Sequence, residues 1–104
     1  MGLFLYGVTG SVEIDDRTLA HLRLVIMHKL RRSEPFMLDV DAVDGGGHLS
    51  FWIHPAVSMQ FRFFGKRHPH INRAWVDDLV LAASRPQPLT VTPEPPEPSR
   101  SGDE

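Results

Sequence analysis

The chain has 104 residues, 41% of them hydrophobic, with 11 basic against 13 acidic side chains, a formal charge of −2 and no cysteine. That size and composition suit one small soluble domain, and the lack of cysteine excludes disulfides, thiolate nucleophiles and Cys-based zinc or iron–sulfur sites. No apolar run approaches the roughly 18 residues a membrane span needs, and residues 1–6 lack the basic leader and long apolar stretch of a secretion signal, so a cytoplasmic domain with no membrane partner is expected.

In chain order, the first signal is a pair of short apolar or alternating runs, residues 3–6 and 11–14, around Gly7, Val8, Thr9 and Gly10. Two glycines in so short a joint suit a tight reversal, which predicts a β-hairpin. A helix over 15–32 follows. At about 100° per residue, Leu19, Leu22, Ile26 and Leu30 share one side and face the core, while Arg17, His21, His28, Arg31 and Arg32 share the other and face water or a partner. Asp15 or Asp16 caps its start, Lys29, Arg31 and Arg32 suit the negative end of its dipole, and Pro35 stops it.

Three alternating runs come next: Phe36, Leu38 and Val40, then Leu49, Phe51 and Ile53, then Met59, Phe61 and Phe63. The joints at 43–47 and 55–58 are short, which predicts an antiparallel meander with one apolar face under the first helix. Asn72 can cap a second helix over 73–84, with Trp75, Val76, Leu79, Val80 and Ala83 on one side. Pro86 and Pro88 break it, and residues 89–92 suit a last short strand. The expectation is an α+β fold: an antiparallel sheet of N-terminal hairpin, three-strand meander and short C-terminal strand, with two helices. Residues 1–92 form this single domain. Residues 93–104, rich in Pro and Glu and holding four acids against one Arg, are expected to be a disordered acidic tail. Without that tail the chain has ten basic against nine acidic residues, so local clustering must indicate the partner.

Six histidines raise a metal reading, sharpest at His68 and His70 with His54 as a third ligand. Lys66 and Arg67 place two fixed cations beside that set, and the loop holds no acid, so a solvated basic loop is the simpler account. His21 and His28 lie two turns apart on one helix and read as surface residues. The serines lack a nucleophile elbow, the Asp15/Asp16 and Asp77/Asp78 pairs belong to helices, and Gly45, Gly46 and Gly47 lead into a strand without the Lys and helix start of a phosphate loop. No catalytic residue and no cofactor is expected.

What remains is surface. Trp52, Phe64 and Met37 share the outer face of the meander with Arg62, Gln60, Ser50 and Asp39. The register that keeps the apolar faces together sets Trp52 diagonal to Arg62, an aromatic and a guanidinium able to stack bases or grip a peptide. The plainer alternatives are that the second helix covers this face, or that Trp52 and Arg62 pack on each other. Lys66, Arg67, His68, His70 and Arg73 form the densest basic run, which Lys29, Arg31 and Arg32 would extend into a phosphate-binding strip or a solvated rim. Ala20, Leu24 and Met27 add a minor apolar flank that suits the second helix or another chain. These features predict a non-catalytic binding module whose partner is a protein, a second copy or nucleic acid.

Several stretches resemble one family. They are Glu13-Ile14-Asp15-Asp16-Arg17-Thr18-Leu19-Ala20-His21-Leu22, Lys29-Leu30-Arg31-Arg32 before Glu34 and Phe36, Trp52-Ile53-His54-Pro55, Phe61-Arg62-Phe63, Asn72-Arg73-Ala74-Trp75 and Pro93-Glu94-Pro95. Across residues 3–95 the chain resembles small actinobacterial proteins that form a domain of unknown function and often carry the label ATP-dependent DNA ligase. The resemblance implies a link to DNA metabolism and brings no catalytic residue with it. Ligase adenylation needs a Lys in a Lys-x-Asp-Gly motif within a far larger nucleotidyltransferase domain. Lys29 and Lys66, the two lysines here, stand in Lys-Leu-Arg-Arg and Lys-Arg-His-Pro, so no ligase activity is expected of this chain alone.

Overall fold

Residues 1–43 and 45–97 are described by the computed structural model. β1 (Gly2–Tyr6) and β2 (Gly10–Ile14) pair antiparallel, Gly2 against Ile14 and Tyr6 against Gly10. The reversal between them needs Gly7, whose φ of 66° disfavours any side chain. α1 (Asp16–Arg31) begins where the Asp15 carboxylate accepts the Thr18 N–H at 3.1 Å and the Thr18 hydroxyl at 2.7 Å, satisfying a helix-start donor that would otherwise lack a partner. It ends ahead of Ser33, which turns the chain at φ 57° before Pro35.

β3 (Phe36–Asp41) and β4 (His48–Ile53) form a second antiparallel pair, Phe36 against Ile53 and Asp41 against His48. β5 (Met59–Phe63), α2 (Arg73–Ala83) and β6 (Leu89–Thr90) complete the order. Asn72 caps α2 as its sequence position indicates, its side-chain oxygen accepting the Ala74 N–H at 3.1 Å. The fold is α+β, with the expected elements in the expected sequence.

The strands divide between two sheets, ordered β2-β1-β5 and β4-β3-β6. β3 and β4 make the first pairing of the meander, and β5 then crosses to β1, Phe61 against Phe4 and Met59 against Tyr6. Two contacts direct that crossing. The Gly7 N–H donates to the Ser58 carbonyl at 2.8 Å, pinning the joint before β5 to the hairpin turn. The Tyr6 hydroxyl bridges the sheets, accepting the His54 N–H at 3.0 Å and donating to the Trp52 carbonyl. Rings of Phe4, Tyr6, Phe51 and Phe61 fill the seam with centroids 5.2 to 5.8 Å apart. β6 lies parallel to β3, Leu89 against Leu38, an arrangement that requires the crossover α2 supplies.

Phe4, Leu19, Leu22, Leu38, Ile53, Leu79 and Leu89 are fully buried where α1, α2 and the sheets meet. Each contributes about 1.5 to 3 kcal/mol of gross transfer free energy. Leu49, expected to face inward, is 40% exposed because it sits near the tip of the β3–β4 hairpin, away from that core.

Two α1 residues expected to face outward, His21 from the polar side and Lys29 from the basic strip, are buried instead, because α2 packs on a second side of that helix. His21 is fully buried beside the Trp75 ring, with centroids 4.6 Å apart. Its Nε2 accepts the Asn72 N–H at 2.9 Å, so Nδ1 carries the proton and donates to the Arg17 carbonyl at 2.7 Å. Lys29 is buried too, its Nζ 3.2 Å from Glu34 Oε1 and 3.3 Å from Ser84 Oγ. That ammonium holds the Glu34 carboxyl below its ordinary value and is withdrawn from the expected basic strip.

The chain past 92 also differs. Glu94 accepts from Arg17 Nε at 2.7 Å, from Arg17 Nη2 and from Asn72 Nδ2 at 3.0 Å. The Pro95 carbonyl takes a second Asn72 N–H at 2.8 Å, and Glu97 meets His70 Nε2. Residues 93–97 are therefore a bonded strap, because their acids meet cations on α1 and the loop before α2. The remainder of the expected tail, 98–104, lies outside the described residues. Among the described residues no helix is long and apolar enough to cross a membrane.

Candidate functional site

Ala20 and Arg23 on α1, Phe63 at the end of β5, and Gly65, Lys66, Arg67, His68, Pro69 and Ile71 of the following loop line a cleft of about 500 Å³. Its size falls within the range of small-ligand sites. The loop is tied to α1 at both ends. Asp16 accepts the Gly65 N–H at 2.7 Å through Oδ2 and the Phe64 N–H at 3.4 Å through Oδ1. A Cβ at Gly65 would stand 2.8 Å from that Oδ2, so glycine is what lets the carboxylate close on the backbone. At the far end, Arg17 Nη1 donates to the His70 carbonyl at 2.7 Å, and His21 holds the Asn72 N–H.

Between these anchors Lys66, Arg67 and His68 are exposed, and among the described residues they make no hydrogen bond or ion pair. Arg23 faces the same space with its guanidinium carbon 5.8 Å from the Phe63 ring centroid, a cation–π arrangement that steadies a flat, charged wall. No Asp or Glu lines the cleft. Arg17, by contrast, is engaged through each of its three side-chain nitrogens. Its hydrogen bonds, followed by that of Asn72, pull the Glu94 carboxyl from 4.5 down to about 2. Cations over an apolar floor of Ala20, Phe63, Pro69 and Ile71 can hold an anion that carries a flat apolar group. Lining residues include no Ser, Thr, Cys or carboxylate to act as nucleophile beside a base.

The remaining expected site residues are dispersed. Arg62 stands over Phe64 with its guanidinium carbon 5.7 Å from the ring centroid, on the β5 side. Trp52 is on β4 opposite Met37, and β4 and β5 belong to different sheets, so the diagonal Trp52–Arg62 pair does not form. α2 leaves these aromatics uncovered, with Trp52 52% and Phe64 56% exposed. Arg73 lines a separate groove between the helices with Leu24 and His28. Arg31 and Arg32 flank Met27 at the end of α1, where Arg32 Nε lies 3.4 Å from Glu34. His54 Nδ1 accepts the Ala56 N–H, His70 meets Glu97 and His68 faces the cleft, so the alternative metal set is not assembled. No group of three His, Cys, Asp or Glu suited to a metal ion occurs among the described residues.

Sequence reasoning passed over Arg23. Its signal was present: three positions after Ala20, it shares that residue's helix face.

Fold and cleft together define a small α+β domain with an open basic site bounded by one helix and one loop. The chain belongs to the family described as a domain of unknown function, DUF7882, whose model matches residues 1–94. No curated protein and no solved structure matches it.

Proposed function

We propose that the domain is a non-catalytic binding module that takes the phosphate backbone of a nucleic acid across Arg23, Lys66 and Arg67. The observation that carries this reading is the set of cations gathered on one apolar-floored cleft without an acid in its lining. Phosphates satisfy such cations, and the floor offers a surface to an unstacked base, which favours single strands. The resemblance to actinobacterial proteins labelled ATP-dependent DNA ligase points toward DNA metabolism as well, with binding instead of adenylation as the contribution. A cytoplasmic location accords with such a partner.

Fluorescence anisotropy with labelled single- and double-stranded oligonucleotides, repeated across salt concentrations, tests the reading. Binding should weaken as salt rises. The double substitution Lys66→Ala, Arg67→Ala should lower the magnitude of the log–log salt slope by about 1.4 for a single strand, two contacts at about 0.7 each. Arg31→Ala with Arg32→Ala should leave the slope unchanged. No binding at low salt, or equal losses from both pairs of substitutions, would remove the proposal.

A further inference from the structure

Residues 93–97, Pro-Glu-Pro-Pro-Glu, meet the domain in a repeating register. The Trp75 indole N–H donates to the Thr92 carbonyl at 3.1 Å, and Asn72 Nδ2 donates to the Pro95 carbonyl at 2.8 Å, so the backbone is held at positions three apart. The carboxylates are held at the same interval. Glu94 accepts from Arg17 Nε at 2.7 Å, from Arg17 Nη2 and from Asn72 Nδ2 at 3.0 Å, and Glu97 accepts from His70 Nε2. A polyproline helix has about three residues per turn and no internal hydrogen bonds, so every third side chain and carbonyl turns to one side. The prolines at 93, 95 and 96 favour that form. In each of these contacts the domain donates and the strap accepts.

The receiving side is shaped without the strap. Arg17 Nη1 is fixed on the His70 carbonyl at 2.7 Å, and Asn72 caps α2 through Oδ1 while its backbone N–H rests on the buried His21, whose ring packs on Trp75. Both remaining directions of the Asn72 amide and the outer edge of the Arg17 guanidinium then find their acceptors in the strap. Past Thr92 the contacts to the strap are polar and open to water: the Arg17 and Glu94 side chains are 38% and 29% exposed, those of His70 and Glu97 68% and 45%. Ion pairs in such a setting are weak and screened by salt, so they form and break readily.

We infer that Arg17, Asn72 and His70 form a peptide-recognition site for a proline-rich segment with two glutamates three residues apart, which residues 93–97 fill in cis. The partner is a protein that presents such a segment. The seated strap defines the chemistry that partner must offer, acceptors alone on a threefold repeat, and a segment already in polyproline form docks with little ordering cost. Tethering gives the strap an effective concentration on the order of millimolar, which a partner segment must exceed unless the strap is weakened. None of Arg17, His70 and Asn72 lines the basic cleft, so the inference is independent of it.

A fluorescently labelled peptide Pro-Glu-Pro-Pro-Glu-Pro, titrated by anisotropy into the full chain, tests it. Glu94→Ala with Glu97→Ala empties the site and should bind the peptide at least about tenfold more tightly than the wild type, whose strap competes. The peptide with Gln at both Glu positions should bind the emptied chain at least about tenfold more weakly. Adding Arg17→Ala should abolish binding, and adding Lys66→Ala with Arg67→Ala should leave it unchanged. The wild type supplies a readout free of any variant: about 10 mM of the Glu peptide should shift the amide resonances of Glu94 and Glu97 while those of β1 stay in place, and the Gln peptide should shift neither set. No binding by the emptied chain at millimolar peptide, equal binding of the two peptides, loss on removing Lys66 and Arg67, or strap resonances that the Glu peptide leaves unmoved would overturn the inference.

Discussion

At the scale of single residues, His21 and Glu94 decide whether the loop before α2 stays on α1. His21 joins the Arg17 carbonyl to the Asn72 N–H from a fully buried position. His21→Phe keeps a ring beside Trp75 but leaves that N–H without its acceptor, a loss of about 1 to 3 kcal/mol that urea unfolding would register. A wild-type midpoint would deny the imidazole this role. Glu94 acts through charge. Its carboxyl is held at about 2 against an ordinary 4.5, first by Arg17 and then by Asn72. A depressed folded-state pKa stabilises only while the carboxylate is ionised, so the contribution is whole above about pH 4.5 and is lost as pH falls toward 2. Denaturant midpoints across that window should fall more steeply for the wild type than for Glu94→Gln. Parallel curves would show that the clasp adds nothing.

At the scale of elements, local signals account for what the sequence made legible. Asp15 and Asn72 begin the helices where capping chemistry places them, and β3 meets β4 in the register that alternation dictates. The partner of β5 had no such signal. Its pairing with β1 joins residues some sixty positions apart in sequence and depends on the Tyr6 hydroxyl and the Ser58 carbonyl, neither of which has a local signature. His21 was misplaced because helical spacing reports one buried stripe, whereas α1 is covered on two sides. The acidic strap looked like a solvated tail until Arg17, 77 positions away from Glu94, supplied its counter-charge. Of the candidate site, Lys66 and Arg67 are legible as a basic cluster, while their apolar floor and Arg23 require the loop to fold back on α1. That fold-back depends on Gly65. Gly65→Ala should displace Asp16 and weaken oligonucleotide binding severalfold with every cation still present, measured by the same anisotropy titration. Unchanged affinity would mean that the loop is held by other contacts.

For the molecule as a whole, a formal charge of −2 conceals a segregated surface. Glu94 and Glu97 neutralise Arg17 and meet His70 on one flank, and the lining of the adjacent cleft is left with cations alone. Under the proposed function, this segregation is what would draw a polyanion to one place on a nearly neutral protein, an effect that salt should screen. The most direct measurement is a titration of the isotopically labelled chain with a short single-stranded oligonucleotide at low salt, followed through its backbone amide resonances. Shifts concentrated at Arg23, Phe63 and residues 65–68 are the predicted result. Shifts centred on β4 or on Arg31 and Arg32, or none at any oligonucleotide concentration, would contradict the cleft as the site of contact.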